Sequence, residues 1–172
     1  MATSTVNYSS NTTITMDLAN LATSSTFLVG RESAQIDNTT NKFMDCLVSG
    51  FVSVGGTSNN VTTNTTINIY VWGADTSLAT KNLNVLDGTD SGASLSNAGI
   101  LNALRFGSSV SVPVNTSDFE YIVLPFSVAS VFGGVMPKFW GLYVAHNTGQ
   151  SLRNNAVNTN SFEFVGIKYD VA

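Results

Sequence analysis

Thr65-Thr66-Ile67-Asn68-Ile69-Tyr70-Val71-Trp72 alternates without a break, with Ile67, Ile69 and Val71 facing one way and Asn68, Tyr70 and Trp72 the other. A period of two belongs to an extended strand, and β-branched and aromatic side chains suit a pleated, half-buried surface. One face of this strand is predicted to enter a core. The same pattern recurs on either side of it. Phe43 to Val54 sets Val48, Val52 and Val54 against Leu47, Ser49, Phe51 and Ser53, with Gly50 marking a bulge or bend. Phe139 to His146 opposes Trp140, Leu142 and Val144 to Phe139, Gly141, Tyr143 and Ala145. Phe106 to Val114, Phe119 to Phe126 and Phe162 to Val171 read as further strands.

Helical signals are few. Ile100, Leu101 and Leu104 recur at helical spacing, and Ser127 is placed to cap one or two turns over Val128 to Phe132, which Gly133 and Gly134 stop. About eight strands, one or two short helices and no βαβ alternation predict an all-β protein. The expected architecture is an antiparallel β-sandwich, jelly-roll-like in its first reading.

At 172 residues the chain is expected to form one domain over residues 26–172, with residues 1–25 as a flexible N-terminal arm. That arm is rich in hydroxyl and amide side chains, with Ile14, Met16 and Leu18 alternating in its middle. Gly73 to Ser96 reads as a long surface excursion whose apolar cluster is Leu83, Val85 and Leu86.

Composition narrows function mostly by exclusion. About a third of the chain is Ser, Thr or Asn, while charged residues make up 10% and the formal net charge is −4. Phosphate neutralisation needs several cations on one surface, and Arg31, Lys42, Lys81, Arg105, Lys138, Arg153 and Lys168 are spread singly, so nucleic acid is not expected as a partner. No apolar run approaches the ~20 residues that span a bilayer, and the first residues lack the form of a secretory signal. The expectation is a chain made in the cytoplasm with no membrane partner.

Chemistry-bearing residues are scattered. Cys46 sits within an apolar strand and reads as a buried thiol, and His146 at a strand end reads as a cap for the turn that follows. Asp75, Asp87 and Asp90 are the one group that suggests a calcium loop, but they lack its regular spacing, so Asp-Gly turns explain them better. Glu32, Glu120 and Glu163 form no pair that sequence can recognise as glycosidic. No catalytic residue, cofactor or metal is assigned, and the expectation is a protein that is not an enzyme. Tyr70 and Trp72 have two readings: an aromatic platform for sugar, or packing beneath a loop or against another subunit.

Ile67 to Gly73 (INIYVWG) and Phe132 to Gly149 (FGGVMPKFWGLYVAHNTG), with Leu86-Asp87-Gly88-Thr89-Asp90 between them, resemble virion proteins encoded beside the major capsid protein in tailed bacteriophages. The resemblance covers roughly Phe27 to the carboxyl end. It implies a capsid decoration or cement protein: a jelly-roll or related β domain, often a homotrimer, on the capsid exterior of the virion, binding the major capsid protein and strengthening the shell. Under that reading the expected capsid or subunit interface comprises Ile14, Met16 and Leu18, as an arm that adds a strand to a neighbour, with Tyr70 and Trp72. The competing expectation is the receptor- or glycan-binding head of a phage tail fibre or spike. With few lysines to block edge pairing, every long sheet edge is expected to be covered by an arm or another subunit.

Overall fold

A computed structural model describes residues 4–55, 61–79, 83, 85–113, 119–153 and 160–171. The elements in chain order are β1 (Ser4–Tyr8), β2 (Thr12–Ile14), β3 (Val29–Glu32), β4 (Ile36–Asp37), β5 (Asp45–Val54), β6 (Thr65–Ala74), β7 (Ser91–Ser94), α1 (Ala98–Ala103), β8 (Arg105–Val112), β9 (Phe119–Ser127), α2 (Val128–Val131), β10 (Phe139–His146) and β11 (Ser161–Val171). They form two antiparallel sheets. The first runs β1-β11-β5-β9, with β2 also beside β11; the second runs β7-β3-β10-β6-β8, with β4 also beside β10. The expected all-β sandwich is what the chain forms. Half of the loop expected at Gly55 to Asn64, residues 56–60, lies outside the described residues.

The alternation of β6 explains how the sheets meet. Ile67, Ile69 and Val71 are fully buried and join Trp140, Leu142 and Val144 of β10 in one core with Val48 and Val52 of β5 and Phe162 and Phe164 of β11. Trp140 meets Phe164 edge to face across the two sheets, ring centres 5.4 Å apart. The bulge anticipated at Gly50 is present as a register shift against β9 between Val48 and Gly50. A side chain at Gly50 would strike the Ser161 carbonyl oxygen at 2.4 Å, so the close approach of β11 requires glycine there.

α2 starts at Ser127, the cap expected for it, and α1 is capped by Asn97. Asn97 accepts a hydrogen bond from the Ile100 amide, and Ser127 Oγ accepts one from Ser130 N at 3.0 Å. Asp45, at the start of β5, ties α2 to the sheet by accepting bonds from Ser127 Oγ (2.6 Å) and Ala129 N (2.9 Å).

The N-terminal segment requires a correction. β1 and β2 pair with β11, and Ile14, Met16, Leu18 and Leu21 are buried in the main core. Residues 12–24 are therefore part of the sandwich rather than a flexible arm. From Ile14 to Leu18 the alternation buries one side chain in two, and Thr15 and Asp17 between them are exposed. Leu21 is held further by its carbonyl, which accepts bonds from Leu152 N at 3.0 Å and from the His146 ring at 3.0 Å.

Candidate functional site

The two broad faces of the sandwich differ in what covers them. Over the outer side of the β10 and β6 pair the chain folds back on itself. Leu78, Leu86, Ala93, Leu95 and Leu104, from the excursion after β6 and the end of α1, form a second buried cluster with Trp72, Tyr143 and Ala145. Trp72 is 1% exposed, and its ring lies against Gly141, where a side chain would come within 2.4 Å of it. Tyr70 is half-buried between Phe106 and Tyr143. Of the two readings open for Tyr70 and Trp72, packing beneath a loop is the one realised for Trp72, and the pair presents no aromatic platform.

Polar anchors hold that cover in place. Glu32, fully buried, accepts hydrogen bonds from the amides of Asp87 (3.0 Å) and Gly88 (3.1 Å). Burial is the main cause that raises its carboxyl from 4.5 to about 6; the two amides oppose the shift and the charge of Asp87 adds to it. Arg31 pairs with Asp90 at 2.7 Å, and Asp90 also accepts from the Asp17 amide. Asp87 accepts from the Thr89 hydroxyl and amide, which lower its pKa. Asp87 and Asp90 thus serve as turn and loop anchors, and among the described residues no three His, Cys, Asp or Glu side chains are grouped to hold a metal ion.

Cys46 and His146 are also structural in their settings. Burial, with help from the charge of Asp45, pushes the Cys46 thiol up to about 12, which leaves no thiolate at neutral pH. His146 is fully buried, with Nδ1 2.9 Å from Thr148 Oγ1 and Nε2 donating to the Leu21 carbonyl at 3.0 Å. Burial lowers its pKa, so the ring is neutral and fastens the turn after β10, as its position at the strand end suggested.

Among the described residues, no segment covers the outer face of the first sheet. Alternate residues of its strands point outward, and Phe51, Ile122, Leu124, Val6, Tyr8 and Tyr169 are exposed there by 42–71%. Register places Phe51 opposite Ile122, Tyr8 opposite Ile167, and Val6 opposite Tyr169. β5 pairs with β11 no further than Asp45 opposite Ile167, whereas β1 follows β11 on to Val171. The two chain ends therefore leave the sandwich as a two-stranded ribbon. Its apolar side, Val6, Tyr8 and Tyr169, continues the outer face of the sheet; its other side is polar, with Asn7 donating to Asp170 at 2.5 Å and Lys168 3.7 Å from the same carboxylate. Near the same end, a groove of about 440 Å³ opens between the turn at Asn38 to Met44 and the loop at Gly134 to Lys138.

Sequence reasoning placed the interface on Ile14, Met16 and Leu18, and the structure buries all three. It did not single out Val6, Tyr8, Tyr169, Ile122 and Leu124, the large apolar side chains that the structure leaves exposed. A usable signal lay in Tyr121 to Phe126, an apolar run with no polar residue on its alternate face. No family model, curated protein or solved structure matches the chain.

Proposed function

We propose that this protein is a non-enzymatic structural component of a virion, a decoration protein on the capsid exterior that cements a bacteriophage shell by binding its major capsid protein. The observation that carries the reading is the ribbon formed by both chain ends. Two strands alone are marginally stable in water, and this ribbon bears Tyr8 and Tyr169 exposed on one side. A neighbouring protein that covers that side would supply the missing third partner, and ordering is cheap where many copies bind one lattice.

The strand order supports a jelly-roll reading as well. With β1 and β2 taken as one strand, β3 and β4 as another, and β7 as an added edge, the chain has eight strands in the orders first-eighth-third-sixth and second-seventh-fourth-fifth. That is the winding of two Greek keys in a double sheet, an architecture common among viral capsid and lectin domains. For the competing tail-fibre reading, the aromatic pair meant to hold glycan is not presented at the surface, so the decoration reading is favoured.

The test is co-sedimentation with empty shells assembled from a tailed-bacteriophage major capsid protein. Tyr8→Ser combined with Tyr169→Ser is expected to weaken binding at least tenfold with the fold intact. Binding at wild-type strength would refute the ribbon as the attachment element.

A further inference from the structure

The groove of about 440 Å³ at one end of the sandwich is lined by described residues throughout. One wall is the turn between β4 and β5, residues 38–44; the other is the loop that leads into β10, residues 134–138. The walls are fixed to each other and to the sandwich. The Asn38 amide donates to the Lys138 carbonyl at 2.8 Å. The buried Asn38 side chain clasps the turn, accepting from Phe43 N at 2.8 Å and donating to Phe43 O at 3.0 Å. Phe43 meets Phe164 edge to face, and Pro137 lies so close to Gly73 that a side chain there would come within 2.6 Å of it. A groove with walls held in this way is formed before any ligand arrives, and its volume is that of a small ligand site.

We propose that this groove docks an extended acidic peptide of a partner protein, with apolar side chains seated between the walls and carboxylates at the rim. Three features select that occupant. First, the charge of the groove is one-sided. Lys42 and Lys138 stand one on each wall, and no Asp or Glu lines the groove, in a chain whose net charge is −4. Neither ammonium is in an ion pair or hydrogen bond among the described residues. The carboxylates next along the chain are engaged elsewhere: Asp37 accepts from Thr39, and Asp45 from Ser127 and Ala129. Second, the loop wall is an unpaired length of chain. Met136 precedes a proline, which favours extended backbone, and neither Val135 nor Met136 makes a hydrogen bond through its N–H or C=O among the described residues. An extended peptide can pair with such a segment, whereas a small amphipathic acid would leave it unused. Third, the sides are apolar and adaptable. Met44 and Val135 are 57% and 71% exposed, Met136 is half-buried against the core, and unbranched methionine side chains adjust to differing apolar guests. The apolar contacts supply most of the affinity, and the rim lysines supply selectivity for carboxylates.

The experiment is a heteronuclear NMR titration of the full chain, with no shell present, against an end-blocked peptide of two leucines between pairs of glutamates. The expected result is saturable shifts centred on residues 38–44 and 134–138, with a dissociation constant at or below about 1 mM. The same peptide with lysines in place of the glutamates is expected to bind about tenfold more weakly or not at all. Lys42→Glu combined with Lys138→Glu is expected to reverse that preference, and since both side chains are exposed and make no bond among the described residues, the fold stays intact. No binding by the wild type, equal binding of the two peptides, an unchanged preference in the double variant, or shifts centred elsewhere would overturn the inference. Octanoate is the control for a small amphipathic acid. Saturation of the same residues by octanoate as strongly as by the peptide overturns the peptide as occupant; weaker or absent binding supports it. The shell test substitutes Tyr8 and Tyr169, which do not line the groove, so the two proposals stand or fall separately.

Discussion

Glu32 and His146 are buried, ionisable and opposed in their response to pH. The folded protein raises the Glu32 carboxyl from 4.5 to about 6, so between those values the native state holds a proton that the unfolded chain has lost. Glu32 therefore adds stability as pH falls from 6 to 4.5, and the cost of its buried charge is felt in full above 6. His146 is shifted downward by burial, so below its unfolded value of 6.5 the unfolded chain takes up the proton first and stability is lost as pH falls. Glu32→Gln removes the compensating response. We expect the variant to lose more stability than wild type between pH 7 and pH 5, by about 1 kcal/mol in urea melts. Parallel profiles for the two proteins would contradict the assignment. The burial of Glu32 was not legible in the sequence, since its partners, the amides of Asp87 and Gly88, come from a turn 55 and 56 residues away.

At the scale of elements, alternation reported faces correctly and neighbours poorly. Ile67, Ile69 and Val71 share a buried face as their spacing required, yet Trp72, on the opposite face, is equally hidden because the excursion after β6 folds over it. β10 shows the same effect: Trp140 and Leu142 enter one core while Tyr143 and Ala145 enter the other. The segment before β3 was misread for a related reason. Its short, hydroxyl-rich alternation resembles that of an unanchored arm, and burial came from pairing with β11 at the far end of the chain. Two substitutions distinguish these accounts. Leu18→Ala is expected to cost about 2–5 kcal/mol in chemical denaturation, as for a core leucine, whereas a free arm would show almost no change. Trp72→Ala is expected to cost about 3–5 kcal/mol and to leave shell binding of the folded protein unaltered, which capsid co-sedimentation below the melting temperature would check.

For the whole molecule, the sandwich has one broad face closed by its own chain and one that, among the described residues, is left uncovered, with exposed apolar side chains around a polar centre at Glu163 and Ser49. The boundary between ribbon and core makes a truncation informative. Removing residues 1–8 deletes β1 alone, and the remaining domain is expected to melt cooperatively within a few degrees of wild type. Removing residues 1–20 strips Ile14, Met16 and Leu18 from the core and is expected to abolish that transition in calorimetry. Local chemistry was enough to specify strand faces, the bulge at Gly50 and the cap at Ser127, because these depend on neighbours along the chain. It did not extend to which faces are covered. Tyr8 lies beside Ile167 and Ile14 against Phe162 by sheet register, and Glu32 is held by the amide of Asp87 in a loop, all contacts between distant segments. The same kind of residue, apolar and alternating, becomes core where another segment folds over it and stays exposed where, among the described residues, none does.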